Sequence, residues 1–454
     1  MADTKISDLP EATTLNGLEA ILLSQASTDA MASLLRVRNE LDWVRPTDWP
    51  AMPTTAANTV HLLAAVFDHA SNFAALRVTV SSGTYSVDWG DGTSDSGITS
   101  AADATHTYTF ADGDLPSATT RRYKVAVVTI TTSGGNITAI DITRVPSGTT
   151  GHTPPWIEAQ INASSCTSFV FTNVSGLSRS TLIEHINFVA TGTITTHSNM
   201  FYEMSRLQKL QYPGTFFTST LSLNQTFRGC RSLRHIDLSS LGTALISLQA
   251  AFHSCVRLKT LTFPPGSLGS AFITLTGAFE GCASLEEVIF PSGGLSHVTA
   301  MNVAFISCTS LRNVVFPSGS LGAVTTLSSA FSGCISLTEI AFPAGSLTSV
   351  TTIASCFNGC SSLQAITFPT GSFGSLSNTG SAFANCPALS RIVNCLIPVS
   401  FNVESCRLSA AALDAIYTSL PTISSRTITV IGNHGTSGDD PTIATAKGWT
   451  VTGS

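Results

Sequence analysis

Apolar residues recur at a nearly constant interval through the second half of the chain. Seven cysteines lie 25 to 27 residues apart, each with a phenylalanine three positions before it and a leucine three positions after it. They are Cys230, Cys255, Cys282, Cys308, Cys334, Cys360 and Cys386. Beyond the leucine, apolar and polar positions alternate, as in the stretch from Leu337 through Ile340 to Phe342. An alternation with a period of two is typical of a short β-strand that is buried on one face.

Each of these units is predicted to form one coil of a solenoid. A proline usually follows the predicted strand, at a position where no ladder donor is needed, and a Gly-Ser pair then turns the chain. One coil cannot bury its own apolar edge, so neighbouring coils must stack into a continuous core. An eighth copy has Met204 in the cysteine position, and a degenerate ninth is expected at Ile183, Ile186 and Phe188. We assign residues 147–396 to this solenoid.

The repeat has the signature of a leucine-rich repeat, which combines a period in the twenties with the pattern L-x-x-L-x-L. Its sequence, "AFxGCxSLxxIxFP", resembles the BspA-type leucine-rich repeats of bacterial and phage surface proteins over roughly residues 180 to 395. That resemblance implies a mainly β, non-enzymatic protein that displays a long rigid face for adhesion.

The cysteine column is interpreted as packing rather than as a metal or redox site. Stacked coils give equivalent cysteines parallel Cβ vectors, whereas a disulfide needs two Cβ atoms that point toward each other. Small thiols pack well in such a core. The total of eleven cysteines is odd, which fits reduced thiols better than a full set of disulfides. We expect no metal ion and no cofactor.

Residues 50–146 carry a different pattern, which predicts a small β-sandwich. The alternating segments "LRVTVSSGTYSVDWGDG", "HTYTF" and "YKVAVVTITTSGG" are separated by Gly/Ser turns. The combination "VDWGDGT…HTY" resembles the PKD domain, an Ig-like module, and that resemblance implies a spacer or adhesion unit. Asp88, Asp91 and Asp95 leave calcium binding open, but their spacing matches no EF-type loop, and an Asp-Gly pair more often makes a hairpin turn.

Residues 397–454 are predicted to form a small α/β cap. Ser409 is placed to cap a helix that runs through "AAALDAIYTSL" and ends before Pro421. Two strands, "TITVIG" and "WTVTG", flank a second short helix in "DPTIATAKG". Repeat arrays need terminal units of this kind for solubility.

The first 49 residues differ from all the rest. The sequence "KISDLPEATTLNGLEAILLSQ" resembles the N-terminal attachment segment of tailed-phage fibre proteins. That resemblance implies docking onto other virion proteins and a location on the virion, after assembly in the host cytoplasm. A polar arm of this kind has too little apolar surface to order itself. We therefore expect it to be held by sister copies in a homo-oligomer or by a virion platform.

Composition argues against several classes of function. Of the 454 residues, 43% are hydrophobic but only 11% are charged, and the net charge is −6. No run of Lys and Arg supports nucleic-acid binding. No apolar stretch approaches the roughly 20 residues of a membrane span, so we expect no membrane insertion. The N-terminus lacks a basic segment followed by an apolar one, and we therefore expect no secretion signal.

No catalytic motif is found in the sequence. The histidines do not occur at a metal-ligating spacing, and adjacent carboxylates such as Glu286 and Glu287 point to opposite faces of a strand. We expect no catalytic residues. The favoured function is a bacteriophage tail fibre, capsid fibre or spike that uses the solenoid for adhesion to the host surface. The alternatives are a bacterial cell-surface adhesin, which needs export, and a virion-borne glycan depolymerase, whose scattered site residues need leave no motif.

The candidate recognition face consists of the residues on either side of the central apolar residue of each predicted strand. Because side chains alternate along a strand, these flanking residues should point outward. The face comprises His185, Lys209, Gln211, His235, Asp237, Glu287, Ile289, Asn313, Val315, Glu339 and Arg391. Exposed apolar strips often mark contact surfaces. We expect this face to meet a host glycan or protein, or a neighbouring subunit; the alternative is an ordinary solvated sheet face.

Overall fold

The computed structural model describes residues 43–69, 72–144, 154–171 and 182–454. The chain divides into two units, Met1–Thr47 and Asp48–Ser454, and the description below concerns the second. Most of the expected N-terminal attachment segment, residues 1–42, lies outside the described residues.

The described chain is mainly β-structure with two short helices. The strands are β1 (Thr59–Phe67), β2 (Asn72–Val80), β3 (Thr84–Asp88), β4 (Ser94–Thr99), β5 (Asp103–Tyr108), β6 (Tyr123–Ser133), β7 (Ile137–Asp141), β8 (Trp156–Ala163), β9 (Ser168–Val170), β10 (His185–Thr191), β11 (Lys209–Gln211), β12 (Thr260–Thr262), β13 (Glu287–Ile289), β14 (Glu339–Ala341), β15 (Ala365–Thr367), β16 (Arg391–Val393), β17 (Phe401–Asn402), β18 (Arg426–Thr429) and β19 (Trp449–Thr452). The helices are α1 (Ala410–Ser419) and α2 (Thr442–Thr445). No helix in the described ranges is long and apolar enough to cross a bilayer.

The first seven strands pair with one another in antiparallel fashion and contribute to two sheets. One sheet has the order β11-β10-β8-β1-β6-β3-β4 and the other the order β5-β2-β7-β9. Strand β1 is almost wholly buried, because its neighbours β6 and β8 cover both of its edges. The core of this region includes the fully buried side chains of Tyr85, Trp89, Tyr108 and Trp156.

The larger sheet runs without interruption into the solenoid. Strand β8 pairs antiparallel with β1 on one side and parallel with β10 on the other, and β10 pairs parallel with β11. In the same way, β9 adds to the smaller sheet through a parallel pairing with β7. The antiparallel strands therefore cover the N-terminal end of the coil stack, where apolar edges and unpaired backbone groups would otherwise be exposed.

Two rows of parallel pairings hold the coils together. The strand row contains the pairs β12–β13 and β14–β15–β16, in which equivalent residues of successive coils face each other. The second row consists of single-residue bridges, and its members are Thr196, Ser222, Ser247, Thr274, Ala300, Thr326, Thr352 and Asn378. The solenoid therefore has two narrow hydrogen-bonded faces with the apolar core between them.

Two columns of phenylalanine side chains fill this core. The first joins Phe201, Phe227, Phe252, Phe279, Phe305, Phe331, Phe357 and Phe383, with ring centroids 5.1–6.1 Å apart. The second joins Phe263, Phe290, Phe316, Phe342 and Phe368 at 5.6–6.4 Å. Within the first column, Phe331 stacks between Phe305 and Phe357, with ring centroids 5.4 and 5.7 Å away.

The cysteines are free thiols, and all eleven are buried. In the seven repeats each thiol donates a hydrogen bond to the backbone carbonyl oxygen of the phenylalanine one coil earlier, at 3.0–3.1 Å. Burial raises the pKa of the Cys282 and Cys334 thiols to about 12. These groups are therefore protonated donors at neutral pH.

Left-handed backbone positions recur in each coil five residues and one residue before the cysteine. The first set is Gln225, Ala250, Gly277, Val303, Ser329, Ser355 and Ser381, and the second is Gly229, Ser254, Gly281, Ser307, Gly333, Gly359 and Asn385. Only Val303 among them is β-branched, and such residues adopt a positive φ at the highest cost.

The residues of the bridge row stabilise the turn that follows them. The side-chain oxygens of Ser222, Thr274, Thr352 and Asn378 each accept a hydrogen bond from the backbone N–H two residues later, at 3.0–3.2 Å. Local bonds of this kind explain why Ser, Thr and Asn occupy the position.

The C-terminal residues pack against the last coil of the stack. Helix α1 begins after Ser409, whose side chain accepts a hydrogen bond from the Ala412 N–H at 3.3 Å. Strands β17, β18 and β19 pair in parallel. The first phenylalanine column ends against them, because Phe401 contacts both Phe383 and Trp449 with centroids 6.4 and 6.0 Å apart.

Candidate recognition surface

The strand row presents most of the predicted face to solvent. In β12, β13 and β14 the central residue is buried and both flanking residues are exposed. The exposed members of the predicted set are Gln211, Glu287, Ile289, Asn313, Val315, Glu339 and Arg391. Lys209, His235 and Asp237 are half-buried. The alternation expected from the sequence therefore describes β12, β13 and β14, whereas in β15 the flanking residue Ala365 is buried.

His185 is an exception, because it is buried rather than exposed, with 6% of its surface accessible. It lies in β10, between β8 and β11, and its ring nitrogens lie 2.9 Å from Glu158 Oε1 and 2.8 Å from Gln211 Oε1. The expectation that His185 belongs to an outward face is therefore wrong. The long polar side chains of Glu158 and Gln211, on the two neighbouring strands, cover the His185 ring.

A second polar contact lies close to His185 in the sequence. Arg121 donates a hydrogen bond to the buried carboxylate of Glu184 at 2.5 Å. Gln208 donates to the other oxygen of the same carboxylate at 3.2 Å. Burying a charge is tolerated when it is paired and hydrogen-bonded. We interpret these contacts as structural links between the antiparallel strands and the first coils.

Two large apolar side chains lie side by side on the strand row. Ile289 and Val315 are 45% and 56% exposed, and they form a parallel bridge between adjacent coils. A single exposed apolar residue is ordinary on a protein surface, but an adjacent pair on a hydrogen-bonded face is a contact candidate.

Next to this pair the strand row contains a depression of about 430 Å³. Its floor includes Ala341, Ala365 and Thr367, and Asn313, Val315, Glu339 and Arg391 are among the side chains around it. The depression forms because two consecutive coils carry alanine at outward positions where other coils carry longer side chains. Pockets that bind small ligands are typically about 300–1,000 Å³ in volume.

Opposite charges flank the depression. Glu339 pairs in register with Ala365, and Ala365 pairs with Arg391. Two strand spacings of about 4.8 Å therefore place the Glu339 and Arg391 backbones about 10 Å apart. Within the described part of the chain, neither side chain forms an ion pair.

The carboxylates considered for calcium are used in local hydrogen bonds. Asp88 accepts from the Gly90 N–H at 2.9 Å, and Asp95 accepts from the Trp89 indole at 2.9 Å. Asp91 lies 2.7 Å from the His106 ring and also accepts from Thr93. Across the described ranges, no group of three or more His, Cys, Asp or Glu side chains is arranged to hold a metal ion.

Comparison with known proteins gives a family match for the solenoid. A family model described as "BspA type Leucine rich repeat region" matches residues 157–272 and 275–401 in six copies. The matched residues begin within β8 and end at the start of β17, and they make up more than half of the chain. No curated protein sequence matches.

Several solved structures are similar at low identity. A leucine-rich repeat protein from Bacteroides ovatus is 19% identical, with 65% of this chain and 80% of that chain covered and a TM-score of 0.30. A leucine rich cell surface protein from Faecalibacterium prausnitzii is 18% identical, with 57% and 89% covered and a TM-score of 0.18.

Proposed function

The chain belongs to the BspA-type leucine-rich-repeat family, and from that premise we propose that it is a non-enzymatic surface protein whose strand row mediates adhesion. The observation that carries this proposal is the exposed pair Ile289 and Val315 on an otherwise regular hydrogen-bonded face. A stacked array offers an extended concave or flat contact surface and needs no enclosed pocket. The target is a glycan or protein on a cell surface.

The bacterial cell surface is the location that we favour. The match is to a repeat type that resembles those of bacterial and phage surface proteins, and it covers the part of the chain that would make the contact. In this proposal the antiparallel strands β1–β7 serve as a PKD-like spacer, and residues 397–454 close the array. The adhesin needs no cofactor or metal ion.

A phage appendage is the second candidate, and one specific observation favours it. The segment "KISDLPEATTLNGLEAILLSQ" resembles the attachment segments of tailed-phage fibres. A fibre or spike of this kind would dock through that segment onto other virion proteins as a homo-oligomer and use the same solenoid for host recognition. Labelled electron microscopy of whole cells and of purified virions would separate the two locations.

Adhesion through the strand row is tested by placing a charge at its apolar pair. The variants are Ile289→Asp and Val315→Asp. Each places a carboxylate where an apolar contact with the bound partner would exclude water. The matched control is Ile335→Asp, because Ile335 is 46% exposed but the equivalent residues of the two neighbouring coils are the polar Thr309 and Ser361. Adsorption of the purified full chain to bacterial cells and its oligomeric state by light scattering are measured together.

We expect both strand-row variants to adsorb at least about tenfold more weakly, the equivalent of about 1.4 kcal/mol, and Ile335→Asp to adsorb like the parent. If the strand-row variants lose self-association instead, the face is a subunit contact. If all three folded variants adsorb and assemble like the parent, recognition lies elsewhere and the proposal is wrong.

A further inference from the structure

The depression at β14–β16 differs chemically from the rest of the strand row. Its lining includes the short side chains of Ala341 and Ala365 together with one cation, one anion and one amide, on Arg391, Glu339 and Asn313. All three rim side chains are exposed, whereas Ala365 at the centre is buried. The site therefore combines an apolar platform with polar groups around its edge.

We propose that this depression binds an acidic saccharide, with Arg391 holding the sugar carboxylate. This inference rests on the proposed adhesive function and names the ligand class for part of the same face. The guanidinium of arginine presents a planar fork of donors that matches the two oxygens of a carboxylate. Because Arg391 has no ion-pair partner within the described part of the chain, its donors are available to a ligand.

The opposite rim suits sugar hydroxyl groups. A carboxylate accepts hydrogen bonds but donates none, so Glu339 would bind hydroxyls and repel a second carboxylate. The Asn313 amide both donates and accepts. The separation of about 10 Å between the Glu339 and Arg391 strands selects a ligand whose carboxylate lies at one end and whose hydroxyls lie at the other, as in two linked sugar rings.

A saccharide fits this surface better than a peptide strand does. The backbone N–H and C=O groups of β15 are engaged on both sides, by β14 and by β16, so no sheet edge is open to a peptide main chain at this place. A peptide lying across the face would leave much of its backbone without partners, at a cost for each buried polar group. A sugar ring can lay its C–H face on Ala341 and Ala365 while its hydroxyls stay at the wet rim.

The test uses the full chain on a glycan array that holds uronate- and sialate-containing saccharides beside neutral ones of the same linkages. The variants are Arg391→Gln, which removes the charge but keeps a polar side chain, and Ala365→Leu, which fills the floor. Arg312→Gln is the matched control, because Arg312 is an exposed arginine of the same array that does not line the depression. A thermal melt of each variant confirms that it is folded.

We expect the parent and Arg312→Gln to retain carboxylate-bearing glycans, and Arg391→Gln to bind them at least tenfold more weakly, with the parent's binding weakening as salt rises. Ala365→Leu should lose binding altogether. The inference is overturned if no carboxylate-bearing glycan is retained, or if Arg391→Gln binds as the parent does. Should Ile289→Asp still weaken adsorption to cells in that case, the adhesive function stands and only the ligand assignment fails, because Ile289 does not line the depression.

Discussion

The thiol of Cys334 donates a hydrogen bond to the backbone carbonyl oxygen of Phe305, one coil earlier, at an Sγ–O distance of 3.1 Å. The same oxygen accepts the N–H of Cys308 at 3.1 Å, within its own turn. A carbonyl oxygen has two lone pairs, so both are used. The cysteine therefore links each coil to the previous one, in addition to filling space between the phenylalanine columns.

Replacing Cys334 should separate these two contributions. Cys334→Val removes the donor and opens no cavity, because valine is slightly larger than cysteine, so we expect a loss of about 0.5–1.5 kcal/mol, the net value of a typical hydrogen bond. Cys334→Ala also leaves a cavity and should cost more. Urea denaturation of the two variants measures the difference. Equal stability of Cys334→Val and the parent would mean that the thiol is only a space-filling group.

Removing the Phe331 side chain should destabilise the protein more than replacing Cys334 does. The Phe331 ring is fully buried and stacks on a phenylalanine from each neighbouring coil. We expect Phe331→Ala to cost about 3–5 kcal/mol, the usual range for a core phenylalanine. Ile335→Ala is the control, since Ile335 lies in the same coil but is 46% exposed. A thermal melt in which both variants match the parent would contradict the observed core.

The repeat core could be predicted from the sequence because the same pattern recurs in seven coils. A phenylalanine, a cysteine and a leucine at fixed offsets identify three inward positions whatever the loops between them do. The thiol–carbonyl bond could not be foreseen in this way, because it depends on how far each coil is shifted along the stack. The hydroxyl groups of the bridge row are visible in stretches such as "VTTL", but the sequence does not show that the Thr326 hydroxyl accepts the Ser328 N–H, at 3.3 Å.

The recognition face was harder to predict at its N-terminal end. His185 occupies an outward position by alternation, yet its neighbours across the sheet are Glu158 and Gln211. One of these comes from β8, at the change from antiparallel to parallel pairing, where the repeat no longer sets the register. The repeat does align the residues around the depression, because Glu339, Ala365 and Arg391 each lie five residues after a repeat cysteine, and the structure pairs them in that register.

Replacing Val303 should increase the stability of the protein. The φ of Val303 is 51°, in the left-handed region, where the equivalent residue of the next coil is Ser329 with φ 53°. An L-residue in this region costs roughly 1–2 kcal/mol, and Asn tolerates it better than a β-branched residue does. We expect Val303→Asn to raise the free energy of unfolding by about 0.5–1 kcal/mol. The reciprocal change, Ser329→Val, should lower it; if neither variant shifts the denaturation midpoint, the conformation is not strained.

The last prediction concerns acid sensitivity at His197. This histidine is fully buried, packs against Phe216 and Phe217 with ring centroids 4.9 Å away, and lies 3.1 Å from the Thr220 hydroxyl. Burial lowers its pKa to about 4 from the ordinary 6.5. Between these two values the unfolded chain binds a proton that the folded chain does not. Stability is therefore complete above pH 6.5 and falls as the pH drops toward 4.

Each pH unit in that window is worth about 1.4 kcal/mol, so this one residue should cost about 2 kcal/mol between pH 6.5 and pH 5. His197→Gln removes the titrating group and should flatten the pH dependence by that amount, even though its stability at pH 7 is lower. His297→Gln is the control, because His297 is exposed. Urea denaturation at pH 7 and at pH 5 gives the comparison. Parallel pH dependence in the parent and in His197→Gln would show that the His197 imidazole is not the source of the acid sensitivity.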